Sequence, residues 1–262
     1  MPESTSDVAA FADSGATGVA HRIVGTTMPV LEVELQDGQS VVSQGGELSW
    51  MSPNVQLTTA TAGAGAAGVL GVLKRVAAGG TVFLTRYQAT GASARIAFAA
   101  KMPGHIRPIP VDTEHEYLVS RHGFLAATAD VTLALGFQQK LGAGIFSGNG
   151  FLLQRIAGHG TAWIELSGEL ITYRLAAGET LLVHPGHIGL FDASVHLDIQ
   201  MVKGIKNIIF GAETLFLAQL TGPGEVHLQS LTLPGLAQAI GPYLAPGEAG
   251  KTGFGGLPFN IG

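Results

Sequence analysis

The sequence predicts an all-β protein built from three tandem β units. Three observations carry that reading. Apolar and polar residues alternate with a period of two, Gly and Pro punctuate the runs, and one plan occurs three times along the chain. Period two marks a strand, because successive side chains leave opposite faces of a pleated backbone. In FLLQRIAGHGTAWIEL, residues 151–166, Phe151, Leu153, Arg155, Trp163 and Glu165 stand against Leu152, Gln154, Ile156, Ile164 and Leu166. Val, Ile, Thr and aromatics dominate such runs, as strands prefer. Helical periodicity is confined to residues 69–78 and 236–243.

The first half of the plan is an alternating strand, a turn, an apolar run, and a Gly before another strand. It reads LEVELQDGQSVVSQGGELSWM at 31–51 and ITYRLAAGETLLVHPGHIGLF at 171–191. Leu35, Gly38, Val41 and Val42 fall on Leu175, Gly178, Leu181 and Leu182. The middle copy, PIPVDTEHEYLVSRHGFLAA at 108–127, has Val111, Glu114, Tyr117 and Leu118 in those places and lacks the turn Gly. In the second half, residues 151–166 align without gaps on LFLAQLTGPGEVHLQS at 215–230. Gly158 and Gly160 fall on Gly222 and Gly224, Trp163 on His227, and Ile164 on Leu228. The first copy is FLTRYQATGASARIAF at 83–98, one residue longer. Gly-His-Gly and Gly-Pro-Gly between the runs predict hairpin turns, since glycine reaches positive φ without a steric penalty.

The units so defined span 23–104, 105–169 and 170–238. A disordered lead is expected at 1–22 and a Gly/Pro-rich arm at 239–262, where Phe254, Leu257, Phe259 and Ile261 suit docking on a neighbour. So small a β unit buries little by itself and gains stability from its siblings. The connectors between the two halves, at 59–80, 136–150 and 201–211, vary most. Variable connectors of a repeat share a face, and exposed apolar loops mark contacts. Gly65, Gly68, Leu70, Leu73, Lys74 and Arg75 of the first connector therefore form a candidate interaction loop.

Composition narrows the function. Hydrophobic residues make up 46% and charged residues 13%, where a typical domain carries about 25% charge. Uncharged surface on this scale suits subunit interfaces. With 14 Lys and Arg against 19 Asp and Glu, the balance argues against capture of nucleic-acid backbones. The absence of cysteine excludes disulfides, thiolate metal sites and cysteine nucleophiles. No run of 18 apolar residues predicts a spanning helix. The nearest approach, ATAGAGAAGVLGVL at 60–73, is stopped by Lys74 and Arg75. It reads as a loop packed on protein, with contact to a membrane surface as the competing reading. The first 20 residues hold Glu3, Asp7 and Asp13 in place of a basic-then-apolar signal, so a soluble, cytoplasmic protein is expected.

Four stretches carry a family resemblance: LGVLKRVAAGGTVFLTRYQA at 70–89, AKMPGHIRPIPV at 100–111, FLLQRIAGHGTAWIE at 151–165 and VHPGHIGLFDASVHLDI at 183–199. Together they resemble the altered inheritance of mitochondria protein 24 family over residues 23–238. The most specific part is Pro-Gly-His-Ile-X-X-Phe at 185–191. The resemblance implies that each unit is a short double-stranded β-helix like the tryptophan-responsive RNA-binding attenuation protein. It further implies a homotrimer whose nine units form a ring. The function that follows is a non-catalytic homo-oligomeric ring scaffold or adaptor. Its partners are further copies of itself and a protein of unknown identity.

His184 and His187, with His196 beyond, offer imidazoles that metals favour. Their spacing departs from a cupin's His-X-His, and only Asp192 and Asp198 stand nearby. His187 is read instead as tying a turn, and His184 as a solvent-facing strand residue. Arg86 and Arg155 recur in two units, but Ala218 and Gln219 fill the third, so no basic stripe for RNA is complete. Arg155 is read as a rim ion pair with Glu165. Ser147 in GIFSGNG lacks the nucleophile-elbow pattern, and the Gly-rich runs lack a phosphate-loop Lys-Ser/Thr. Glu114 with Glu116, and Glu165 with Glu169, are read as solvated charges near turns. No catalytic, cofactor or metal residue is assigned and no cofactor is expected. The structural or binding candidate is Pro185, Gly186, His187, Phe191 and Asp192. A small-ligand or metal-binding β-helix protein is the alternative function. A peripheral membrane-associated organiser acting through residues 60–73 is the further one.

Overall fold

The computed structural model describes residues 18–61, 83–139, 151–201 and 216–243. The chain is all-β, in several antiparallel sheets. Strand β1 (Ala20–Val24) precedes β2 (Val30–Leu35), β3 (Ser40–Gln44), β4 (Trp50–Met51), β5 (Val55–Thr61), β6 (Phe83–Ala89) and β7 (Ala94–Ala99). A second set follows: β8 (Gly104–Val111), β9 (Tyr117–Ser120), β10 (Phe124–Thr128), β11 (Val131–Gln139), β12 (Phe151–Gly158) and β13 (Gly160–Ser167). The third set is β14 (Leu170–Leu175), β15 (Thr180–Val183), β16 (Ile188–Asp192), β17 (His196–Met201), β18 (Phe216–Thr221) and β19 (Gly224–Gln229), before helix α1 (Leu233–Ile240).

Within the set β2–β7, the first strand pairs with the sixth, the second with the fifth, the third with the sixth and the fourth with the fifth. The sets β8–β13 and β14–β19 pair in the same order. Successive sets are joined by β3 pairing with β10 and β9 pairing with β16. These joints produce two six-stranded sheets, β5-β6-β3-β10-β13-β8 and β11-β12-β9-β16-β19-β14. A four-stranded sheet, β1-β2-β7-β4, and a three-stranded one, β15-β18-β17, complete the described architecture.

Position in a sheet explains each strand's composition. In β2 the alternation is clean: Leu31, Val33 and Leu35 are buried while Glu32 and Glu34 are half-buried on the other face. Strand β10, flanked by β3 and β13, is buried at every residue, as FLAAT requires. Strand β8 tolerates Pro108 and Pro110 because it lies at a sheet edge, where a missing N–H breaks no ladder. Three apolar clusters fill the interior. Trp163 is fully buried in the first, among Leu31, Ile96 and Phe98, with the His21 ring edge-on to it at 5.2 Å.

The expected hairpins at Gly-His-Gly and Gly-Pro-Gly are not hairpins. Strands β12 and β13 lie in different sheets, as do β18 and β19. Positive φ at Gly158 (108°) and Gly160 (146°) turns the chain through a corner from one sheet to the other. Ile156 and Ile164 then meet in one apolar cluster. Period two shows which faces are apolar, but it does not say whether two runs meet edge to edge or face to face. The paired hairpins are instead β5–β6, β11–β12 and β17–β18. Their connecting residues, 62–82, 140–150 and 202–215, lie outside the described residues. With them lies the candidate interaction loop of Gly65, Gly68, Leu70, Leu73, Lys74 and Arg75, and the helical periodicity at 69–78.

Five boundaries move. The lead ends before Ala20, because β1 forms a ladder with β2 in which His21 faces Val33. The first connector begins after Thr61 and the third after Met201, the ends of β5 and β17. The second connector begins after Gln139, with a register break between Leu135 and Phe137. Gly136 sits in that break, where a Cβ would run into the Leu118 side chain. The C-terminal helix starts at Leu233, three residues before its expected position. Thr232 caps it, its Oγ1 accepting from the Gly235 N–H at 3.1 Å, and Pro234 suits the first turn.

The inter-sheet corner makes a prediction. A Cβ at Gly160 would land on the Thr128 hydroxyl, at a φ that L side chains rarely adopt. Gly160→Ala is expected to destabilise the fold by about 2–3 kcal/mol, measured by urea unfolding.

Candidate functional site

The element from Pro185 to Asp192 is built around a short 3-10 turn. His184 is extended, and its Nδ1 accepts from the Gly186 N–H at 3.3 Å. Pro185 opens the turn, where its fixed φ fits and its missing N–H costs nothing. The His187 Nδ1–H donates to the Gln229 carbonyl at 2.8 Å. The Gln229 side chain then joins two more segments: its Nε2 donates to the Gly186 carbonyl at 3.1 Å, and its Oε1 accepts from the Ser167 N–H at 3.1 Å. The turn is thereby tied to β19 and to the end of β13. His187 holds a turn as its position suggests, while His184 caps that turn just beyond β15.

Strand β16 carries the element into the core. Ile188, Leu190 and Phe191 are fully buried. Gly189 lies at a register break, and a Cβ there would strike Leu166. Asp192 Oδ2 accepts from the Glu225 N–H at 2.7 Å and so fastens the far end of β16 to β19. The five candidate residues are therefore brought together on one short segment, with hydrogen bonds at both ends and apolar burial between.

A cleft adjoins each end. One, of about 210 Å³, is lined by Ser120, Arg121, His122, Glu165, Pro185 and Gly186 over an apolar floor that includes Phe151, Ile188 and Leu233. The other, of about 520 Å³, is lined by Arg107, His115, Tyr117, Arg174, Asp192, Glu225 and His227. In the first, Glu165 is only 7% exposed. Its Oε1 accepts from the N–H groups of Lys101 and Met102, at 2.8 and 3.2 Å. Burial still holds its pKa above the ordinary carboxylate range. Glu165 is thus neither a solvated charge nor the partner of Arg155, which pairs with Glu116 through its Nε at 3.0 Å. Burial also lowers the pKa of His122, and the neighbouring Arg121 lowers it further.

In the second cleft, burial and then Asp192 push the Tyr117 hydroxyl up to about 12. The ion pair with Arg174 depresses Glu225. His227 is buried and is held below its usual pKa by desolvation and by Arg107. Its Nδ1 stands 2.9 Å from the Thr172 hydroxyl, and its Nε2 stands 3.6 Å from Glu225. That arrangement has the order of a hydroxyl–imidazole–carboxylate relay. Thr172 is simply the residue opposite His227 in the β14–β19 ladder, and Glu225 is engaged by Arg174. The sequence reading missed the burial of His227. The alignment of His227 on the core residue Trp163 is the signal that would have found it.

Among the described residues, no three His, Cys, Asp or Glu side chains converge so as to hold a metal ion. Among these same described residues, no helix is long and apolar enough to cross a membrane.

Fold and site together define an all-β protein of joined antiparallel sheets, with a hydrogen-bonded turn at Pro185 to His187. A model of the mitochondrial biogenesis AIM24 family matches residues 21–231, and the chain belongs to that family. An uncharacterized protein of Streptococcus pyogenes serotype M6 is 27% identical over 220 residues, spanning 82% of this chain and 87% of its own. The crystal structure of protein SPYM3_0169 from Streptococcus pyogenes superposes with a TM-score of 0.69 at 24% identity, covering 86% of this chain and all of its own. At that identity the likeness shows the fold alone.

The buried carboxyl gives the site a pH signature. A raised folded-state pKa contributes stability that is full below the unfolded value of about 4.5 and is lost as pH rises through the folded value. Glu165→Gln keeps an acceptor oxygen for Lys101 and removes the titration. The variant is expected to gain stability relative to the parent on going from pH 4 to pH 8, read from urea melts at both.

Proposed function

We propose that the chain is a non-catalytic, homo-oligomeric ring scaffold or adaptor made of three tandem double-stranded β-helix units, at 23–104, 105–169 and 170–238. The observation that carries this reading is the pairing order. Each of three six-strand sets makes the same four pairings, and each of the first two pairs its second strand with the third strand of the next. A stack of this kind has two unlike ends, and nothing in the pairing rule stops it at three. The low charge and the apolar side chains exposed on the end strands, Trp50, Met51 and Leu182, support further association. Three chains in a ring is the count the family resemblance implies.

The groups whose pKa burial shifts, Glu165, Tyr117 and His227, each have a packing or ladder role. A small-ligand reading draws on one specific observation, the buried Glu165 carboxyl beside an apolar cleft of about 210 Å³. The scaffold reading accounts for more of the molecule.

Sedimentation velocity at micromolar concentration is expected to show a species several times the 26.9 kDa chain mass. Its thermal midpoint is expected to rise with protein concentration. A chain that stays monomeric across that range overturns the scaffold.

A further inference from the structure

We infer that the cleft of about 520 Å³ beside β8, β14 and β19 binds a small organic anion, whose carboxylate or phosphate group sits on the Arg107 guanidinium. The site does not depend on the ring reading. It emerges when the two joints of the repeat are compared residue by residue.

The cleft lies where the second set meets the third, and the ladders give the matching place where the first set meets the second. The repeat sets Leu35 on Val111, and Val41 on Tyr117. Four residues before Leu35 and Val111 stand Leu31 and Arg107, which face Phe98 and Ile164 on the sixth strand of their sets. Across the joints, Val41 faces Thr128 and Tyr117 faces Asp192. Thr161 and Trp163 fall on Glu225 and His227. Leu31, Val41, Thr128, Thr161 and Trp163 at one joint are therefore Arg107, Tyr117, Asp192, Glu225 and His227 at the other.

At the first joint these places are packed. Leu31, Val41 and Trp163 are fully buried in one apolar cluster, and the Thr128 hydroxyl accepts from the Thr161 N–H at 3.1 Å. At the second joint Tyr117 and His227 are only 6% and 4% exposed, yet both line a cleft. The Tyr117 hydroxyl has no hydrogen-bond partner among the described residues. The His227 Nε2 stands 3.6 Å from Glu225, beyond hydrogen-bond reach. Buried polar groups without partners cost stability that apolar packing does not. The first joint shows that the fold closes without them.

The charges decide the sign of the ligand. Glu225 is held by Arg174, and His115 by Asp112. Asp192 accepts from the Glu225 N–H. Arg107 has no carboxylate at ion-pair distance among the described residues, and its charge acts on Tyr117, Glu225 and His227 alike. A guanidinium forks onto carboxylate or phosphate oxygens, and the Tyr117 hydroxyl supplies a further donor. Ile109, Leu175 and Pro223 line the same cleft and offer an apolar wall to the organic part of the ligand.

Benzoate, phenyl phosphate and benzylammonium, three probes of similar size, test the site on the full chain by isothermal titration calorimetry. At least one of the two anions is expected to bind at millimolar concentration, and benzylammonium is not. Binding of benzoate alone marks a carboxylate ligand, and of phenyl phosphate alone a phosphate ester. Arg107→Leu places the side chain of the sibling joint, so it is expected to fold, as circular dichroism will show, and to weaken anion binding about tenfold or more. Arg107→Lys keeps the charge without the fork and is expected to fall between. Arg121→Leu, in the smaller cleft, is expected to leave binding unchanged. Failure of both anions to bind, equal binding of benzylammonium, or binding that survives Arg107→Leu overturns the site, as does binding lost with Arg121 instead. None of these results bears on the ring, which sedimentation tests separately.

Discussion

The joint between successive sets is the constraint on which the structure depends. A strand's backbone N–H and C=O groups must be paired wherever water is excluded, and the interior strands here obtain that pairing from neighbours far away in sequence. Ser43 illustrates the tightness of one joint: its hydroxyl donates to the Leu125 carbonyl at 2.5 Å, between two buried strands. Without the pairing of β3 with β10, strands whose every residue is buried would present bare edges. The joints therefore turn sets with small cores into continuous six-stranded sheets.

The same principle explains how the candidate element is built. Pro185 to Asp192 contains the 3-10 turn and the strand β16 that meets β9 at a joint. Its Pro, Gly, His and Asp residues each serve placement. The turn sets where β16 enters, His187 and Gln229 hold that entry against β19, and Asp192 fastens the exit. One cleft borders the turn at Pro185 and Gly186, and the other borders Asp192. Burial is the largest cause of the shifts at His122, Glu165, Tyr117 and His227, while Glu225 is set by its bond to Arg174.

Gly160 and Gly224 make a related point about local geometry. They occupy matching places and share φ values of 146° and 147°. Each corner lets the chain leave one sheet and enter another within two residues. A side chain at Gly224 would meet Val195 and Ser194, as one at Gly160 would meet Thr128. Close approach of backbone to packed side chains, more than turn flexibility, requires glycine there.

Much of this protein was legible in its residues. Alternation in LEVEL marked a strand, and the ungapped match of 151–166 on 215–230 placed β12–β13 and β18–β19 in equivalent positions. The family followed from short motifs, and the tie at His187 from a histidine next to Pro-Gly. These properties are local: side-chain periodicity and turn chemistry act over a few residues, so one segment suffices to read them. Tertiary structure alone decided which strands share a ladder, that Gly-His-Gly is a corner, and that Glu165 is buried while Arg155 turns to Glu116. Pairing and burial depend on what lies across the sheet or on the facing sheet, many residues away, and a period of two is the same whichever neighbour supplies the hydrogen bonds.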